Sequence, residues 1–222
     1  MIQWNLQVLE AWIAPGLATF THAVILDLKA DFSEAPHWLP NHYLNSVVGP
    51  TAFFGSSKIA VIGFLRRAHN AFEIYHRARS LTLSYLDGID VSRPKIRGYY
   101  SAVSAWEDFA LQTSMALDLY KWMNGGKGAF TKQDGSAEQR LYEVANQVKH
   151  TASCIASSQC TAQDTLPVWL SNTGLCSFAN ITVSYEEAAQ ILRDVATFAD
   201  KLQNPQAVLA DKQAARDSAQ NG

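Results

Sequence analysis

The spacing of apolar residues divides the chain into helices separated by short breaks. Leu141, Val144, Ala145, Val148, Ala152 and Ile155 recur at helical intervals, which predicts one amphipathic helix over 138–156. On the same wheel Asn146 and His150, four residues apart and so surface neighbours, fall roughly opposite that stripe, with Glu143 and Ser153 to either side. A second stripe, Val61, Leu65, Ala68, Phe72, Tyr75, Thr82 and Leu86, predicts a long helix over 58–87 with Ser56 or Ser57 as its N-cap. Residues 95–123 are apolar on nearly every side, from Tyr99 and Trp106 to Leu117 and Tyr120. That is the pattern of a helix in the middle of a bundle, and Pro94 suits its start.

The remaining stretches are shorter. Residues 2–13 predict a helix ended by Pro15 and Gly16, and Phe20, Ala23, Val24 and Asp27 predict another over 18–30. Between Asp31 and Ser57 the prolines and glycines predict an ordered loop that docks its aromatics on the core. Gly88 to Pro94 reads as a turn. Alternating apolar residues on both sides of Asn172-Thr173-Gly174 predict a short β-hairpin over 165–182. Ser184 followed by Glu187 has the form of a capping box, opening an amphipathic helix over 185–202. The fold class is therefore mainly α, a helical bundle with one short β-hairpin. Residues 1–94 form an N-terminal helical extension packing on a 95–203 bundle, and the polar, alanine-rich stretch 204–222 is a disordered tail.

Composition narrows the class without choosing a function. At 48% hydrophobic and 17% charged the chain is that of a folded domain, and a net charge of -2 gives no global attraction to nucleic acid or membrane. Any such binding has to come from a local patch. The three cysteines, Cys154, Cys160 and Cys176, form no CxxC pair and accompany no histidine cluster at zinc spacing, so a reducing compartment is expected. The amino terminus lacks the form of a signal peptide and no stretch is apolar over the ~18 residues a membrane span needs, so a cytoplasmic location without membrane contact is expected.

Three patterns could carry chemistry. Asn146, Lys149 and His150 place an imidazole beside an amide and an amine, either as proton-transfer groups or as an ordinary wet helix face. On 58–87, Lys58, Arg66, Arg67, Arg77 and Arg79 face a single acid, Glu73: a phosphate-contacting surface, or a solvated face with i,i+4 pairs such as Glu73 with Arg77. The same helix holds Glu73 and His76 in the Glu-x-x-His form of di-iron bundles, but no second copy follows, so neither a metal nor another cofactor is expected. The Asn124-Gly125-Gly126-Lys127-Gly128 loop lacks P-loop spacing and a preceding strand, and reads as a helix cap and flexible loop.

Taken in order, a long helix, a glycine-rich loop, a helix carrying Asn146-x-x-Lys149-His150, a hairpin with Trp169 and a helix opening Ser184-Tyr185-Glu186-Glu187 resemble the HEPN superfamily over about half the chain. The resemblance implies an up-and-down helical bundle that dimerises, and in many members a metal-independent ribonuclease of toxin–antitoxin, antiphage or RNA-processing systems. The family's motif is an arginine, a polar residue and then a histidine. Laid on this chain the histidine falls on His150 and the polar residue on Asn146, but the arginine falls on Ala145.

Two functions follow from the resemblance. One is a ribonuclease acting on single-stranded RNA, with His150 as general acid or base, Asn146 orienting, and Lys149 together with Arg66, Arg67 and Arg77 holding phosphates. The other is a non-catalytic dimerisation or regulatory module, favoured by the missing arginine. Either implies a homodimer, and either admits a protein partner such as an antitoxin or defence-system component.

Overall fold

A computed structural model describes residues 6–48, 53–88, 96–158 and 165–210. The chain runs α1 (Leu6–Ile13), α2 (Trp38–Val48), α3 (Ser56–Asp87), α4 (Ile96–Met123), α5 (Ala137–Lys149), α6 (Thr151–Ala156), β1 (Val168–Leu170), β2 (Gly174–Ser177), β3 (Ile181–Ser184) and α7 (Tyr185–Leu202). It is mainly helical, as its spacing predicts, with a small antiparallel sheet. Among the described residues no helix is long and apolar enough to cross a membrane.

The two longest helices, α3 and α4, pack along each other and form the heart of the core. Their contact is aromatic: Tyr75 meets Trp106 edge to face at 5.5 Å and Phe109 at 5.5 Å. The buried indole of Trp106 donates to Thr82 Oγ1 at 3.0 Å, and that hydroxyl donates to the Ala78 carbonyl, so no polar atom in this chain of contacts is stranded. One continuous core runs from Ile13 to Leu202, drawing on residues from both sides of position 94. On α3 the first cap is Gly55 rather than a serine, and no side chain bonds the free amides there.

Local spacing misjudges two N-terminal segments. Residues 21–28 are not helical but irregular. Their backbone is bonded by side chains from distant elements: Tyr75 Oη donates to the Leu26 carbonyl, Arg79 Nε to the Ile25 carbonyl, and the Thr21 and His22 amides both donate to Asn172 Oδ1. Phe20, Ile25 and Leu28 are buried while Val24 is exposed, so the true inward set differs from the helical one. The expected loop between Asp31 and Ser57 instead contains a 3-10 turn, Ala35–His37, and the helix α2. Pro36 and Pro40 sit in opening turns, where a missing amide costs nothing. α2 docks on the end of α7: Trp38 Nε1 bonds Asp200, His42 Nδ1 donates to the Leu202 carbonyl at 2.8 Å, and Asn45 Nδ2 donates to the Gln203 carbonyl. Trp38 and Phe53 are buried as expected of docking aromatics, but Tyr43, Leu44 and Phe54 are exposed.

The expected hairpin has a third strand. β1 and β2 pair antiparallel around Asn172, with Leu170 opposite Leu175, and β3 adds on the far side of β2 with Leu175 opposite Val183. Gly174 is required here, because a Cβ would lie 2.1 Å from the Val183 carbonyl oxygen. β3 leads straight into α7 through the predicted capping box: Ser184 Oγ accepts from the Glu187 amide and Glu187 accepts from the Ser184 amide. Beyond α7 the chain is again helical over 205–210, so the start of the expected disordered tail is structured. The rest of that tail, the start of the first expected helix, and nearly all of the 88–94 turn with Pro94 lie outside the described residues.

Candidate functional site

The helix expected over 138–156 is two helices. α5 opens with Ser136 Oγ accepting from the Gln139 amide and ends at His150, whose backbone turns out of the helix at φ -116°. Thr151 Oγ1 donates to the Gln147 and Val148 carbonyls at 2.9 and 3.0 Å, occupying acceptors near the end of α5. The His150 carbonyl then accepts from Ser153 and Cys154, starting α6. Leu141, Val144 and Ala145 are buried and Val148 half-buried, but Ala152 is exposed and Ile155 is 63% exposed. The stripe keeps its spacing past the break and loses its partner.

At this break Asn146, half-buried, and His150, exposed, line one shallow cleft of about 400 Å3 with Glu143, Ser153, Cys154 and Ile181. Lys149 is not brought to it. Its ammonium donates to Ser114 Oγ on α4 at 3.3 Å and lies 5.8 Å from the Tyr142 ring centroid. Ala145, at the motif's arginine position, is fully buried. Arg140 is fastened elsewhere, donating to the Gly135 carbonyl and pairing with Glu187 on α7. Gln147 Nε2 donates to the Phe178 carbonyl and ties the cleft floor to the sheet.

The arginines of α3 do not line this cleft. Arg67 donates to Gln112 at 2.8 Å and Arg77 pairs with Asp108 at 2.9 Å rather than with Glu73, which leaves Arg66 exposed. Arg79 pairs with Asp27. Much of the basic face seen in the sequence is thus spent on α4 and on the irregular 21–28 segment. Glu73 points to solvent, His69 Nδ1 donates to the Ala35 carbonyl, and His76 faces Asp27 at 3.6 Å. Burial lowers the His76 pKa, against the pull of Asp27. Cys154 and Cys176 are free thiols, and Cys160 lies outside the described residues.

Sequence reasoning missed a neighbouring groove. The glycine-rich loop caps α4 as expected, through Gly126 N–H to the Lys121 carbonyl and Gly125 N–H to the Trp122 carbonyl, with both glycines at positive φ. Beyond the cap the loop folds over α5 and encloses about 710 Å3, lined among others by Lys121, Lys127, Lys132, Phe130 and Tyr142. Asn146 lines this groove as well as the His150 cleft. The basic glycine-rich composition was the available signal, but the aromatic partner on α5 appears only in three dimensions.

No protein-family model matches the chain, and neither does any curated protein or solved structure.

α2 presents an exposed apolar strip. Val47 and Val48 are 86% and 84% exposed, Leu44 is exposed beside them, and Phe54 and Ile59 are exposed where α3 begins.

Proposed function

We propose that the chain is a HEPN-like helical module that acts by binding, to a second copy of itself and to a partner, without turning RNA over at the Asn146/His150 edge. The observation that carries this reading is where the nearby cations go. Phosphoryl transfer needs a preorganised positive charge at the phosphorane, a contribution of about 3–4 kcal/mol for one such group. Lys149 is turned to Ser114, Arg140 is paired with Glu187, and Ala145 stands where the family motif has its arginine. The apolar strip of α2 supports an interaction role, since the same strip on two copies is self-complementary about a two-fold axis. The free thiols of Cys154 and Cys176 fit a cytosolic setting.

A second reading, a metal-independent ribonuclease of a toxin–antitoxin or antiphage defence system, is favoured by one observation. Asn146 and His150 share an open cleft, to which a partner copy can bring a cation. Light scattering and incubation with a mixed single-stranded RNA pool in chelator separate the two. The module reading expects a dimer that Val47→Glu converts to monomer, and no RNA turnover. Turnover that disappears in His150→Ala establishes the ribonuclease instead.

A further inference from the structure

We infer that the groove under the glycine-rich loop is a nucleotide-binding site, taking a phosphate-bearing base either as a free nucleotide or as a unit of a single strand. The inference stands apart from whether the His150 edge is catalytic. The groove of about 710 Å3 is of the size that encloses a small ligand. Its walls come from three places: Lys121 at the end of α4, Lys127, Phe130 and Lys132 on the loop, and Tyr142 and Asn146 on α5.

Charge favours an anion. Among the described residues none of the three lysines forms an ion pair, whereas Arg77, Arg79, Arg140 and Arg193 all do. The two carboxylates in the lining are engaged by neutral donors: Glu143 Oε1 accepts from Gln139 Nε2 at 2.8 Å, and Asp118 lies beside the Tyr142 hydroxyl. The amides of Gly125, Gly126 and Lys127 are bonded to α4 carbonyls or to Asn124 and do not cradle an anion, so the charge that holds the phosphate comes from the lysine side chains. A site built this way is strongly salt-dependent.

The aromatic pair distinguishes a nucleotide from a bare anion. Phe130 and Tyr142 stand 5.3 Å apart between ring centroids, tilted by 50°, forming a wedge in the groove wall. Cations interleaved with aromatic faces are what single-stranded nucleic acid uses, phosphates on the lysines and bases on the rings. Asn146, with two donors and an acceptor, closes the groove toward His150 and can read a base edge there.

Fluorescence anisotropy with a labelled single-stranded octaribonucleotide tests the site, with the matching deoxyoligonucleotide, AMP and inorganic phosphate as competitors. The variants are Lys121→Gln/Lys127→Gln/Lys132→Gln together, Phe130→Ala, and Lys29→Gln at an exposed position outside the groove as a control, each checked for native circular dichroism. The expected result is salt-weakened binding, lost at least about 10-fold in the triple variant. The slope of log affinity against log salt becomes shallower by about 2, from three phosphate contacts at about 0.7 each. Phe130→Ala weakens binding at least about 5-fold, the low end of one lost stacking contact, and Lys29→Gln changes nothing. Competition by AMP identifies a free nucleotide as sufficient, and competition by oligonucleotides alone identifies a strand. Binding unchanged in the triple variant, or absent from the wild-type protein, overturns the site. Binding lost in the triple variant but untouched by Phe130→Ala leaves a simple anion site and overturns the nucleotide assignment.

Discussion

Two helices of this chain begin with the same kind of signal and end differently. α7 opens on Ser184, α5 on Ser136, and each serine hydroxyl accepts from an amide three residues on. Both are followed by a clean apolar stripe. α7 runs unbroken to Leu202 with Ala188, Ile191, Leu192 and Val195 buried, and Phe198 stacks edge to face on Phe64 and Tyr120. The second stripe breaks at His150 and spends Ala152 and Ile155 on solvent. The difference lies in what each faces. α7 lies against α2, α3, α4 and α5, whereas among the described residues α6 has no comparable neighbour beyond α5. Apolar spacing records which face is able to be buried; burial needs a second surface.

The largest effect expected from this contrast is at matched positions. Leu192→Ala removes a fully buried side chain from α7 and should cost about 2–5 kcal/mol. Ile155→Ala, at the corresponding kind of position on α6, should stay within about 0.5 kcal/mol. Urea denaturation measures both. A large loss at Ile155 would mean that α6 is covered in solution, which the monomer alone does not account for.

The packed half also bends the chemistry of its charges. On α4, burial pushes the Glu107 carboxyl up to about 7, with Asp108 adding repulsion. A carboxyl whose folded pKa lies above its unfolded value costs nothing when protonated below about pH 4.5. Its penalty grows as pH rises from about 4.5 to about 7 and is fully present above that. Glu107→Gln should therefore stabilise the protein at pH 8 by on the order of 1–2 kcal/mol, reduced from the full shift because the group is partly in contact with water. At pH 4 it should change little. Equal effects at both pH values would remove the buried-carboxylate account.

A smaller effect tests the cap of the continuous helix. Ser184→Ala should cost about 1 kcal/mol. It should also loosen Glu187, which bonds the Ser184 amide and Arg140 and so joins α7 to α5. Burial works against the Glu187 carboxylate, but those two partners hold its pKa below the ordinary value. That contribution is present above the ordinary carboxylate pKa and lost as pH falls, so the cost of Ser184→Ala should be smaller at pH 3 than at pH 7. Thermal melts at the two pH values decide this.

These contrasts also explain what was legible in the sequence. α3, α4 and α7 were, because long periodic stripes meet partner surfaces on the scale of the whole helix. The 21–28 segment was not, because its backbone partners are Tyr75, Arg79 and Asn172, the last of these 151 residues from Thr21. α2 was hidden by Pro36 and Pro40, which signal a break but are tolerated in an opening turn. β3 was hidden because its four residues sit against a capping box that had already claimed Ser184 for the next helix. At the site, four-residue spacing brought Asn146 and His150 to one cleft. It could not show that Lys149, next to His150 in the chain, turns to a serine on α4.

His150→Ala, like Ile155→Ala, should change stability by no more than about 0.5 kcal/mol, and it is the sharpest test of the open end of the comparison. The junction is held by backbone atoms of residue 150 and by the Thr151 hydroxyl, none of which the substitution removes. The imidazole itself is exposed. A side chain kept at a helix break without contributing to the fold is free to serve recognition, so hydrogen exchange over 145–156 should match the wild-type pattern. Faster exchange there would show that the imidazole holds the two helices at their angle, and the break would then belong to the packed part of the molecule.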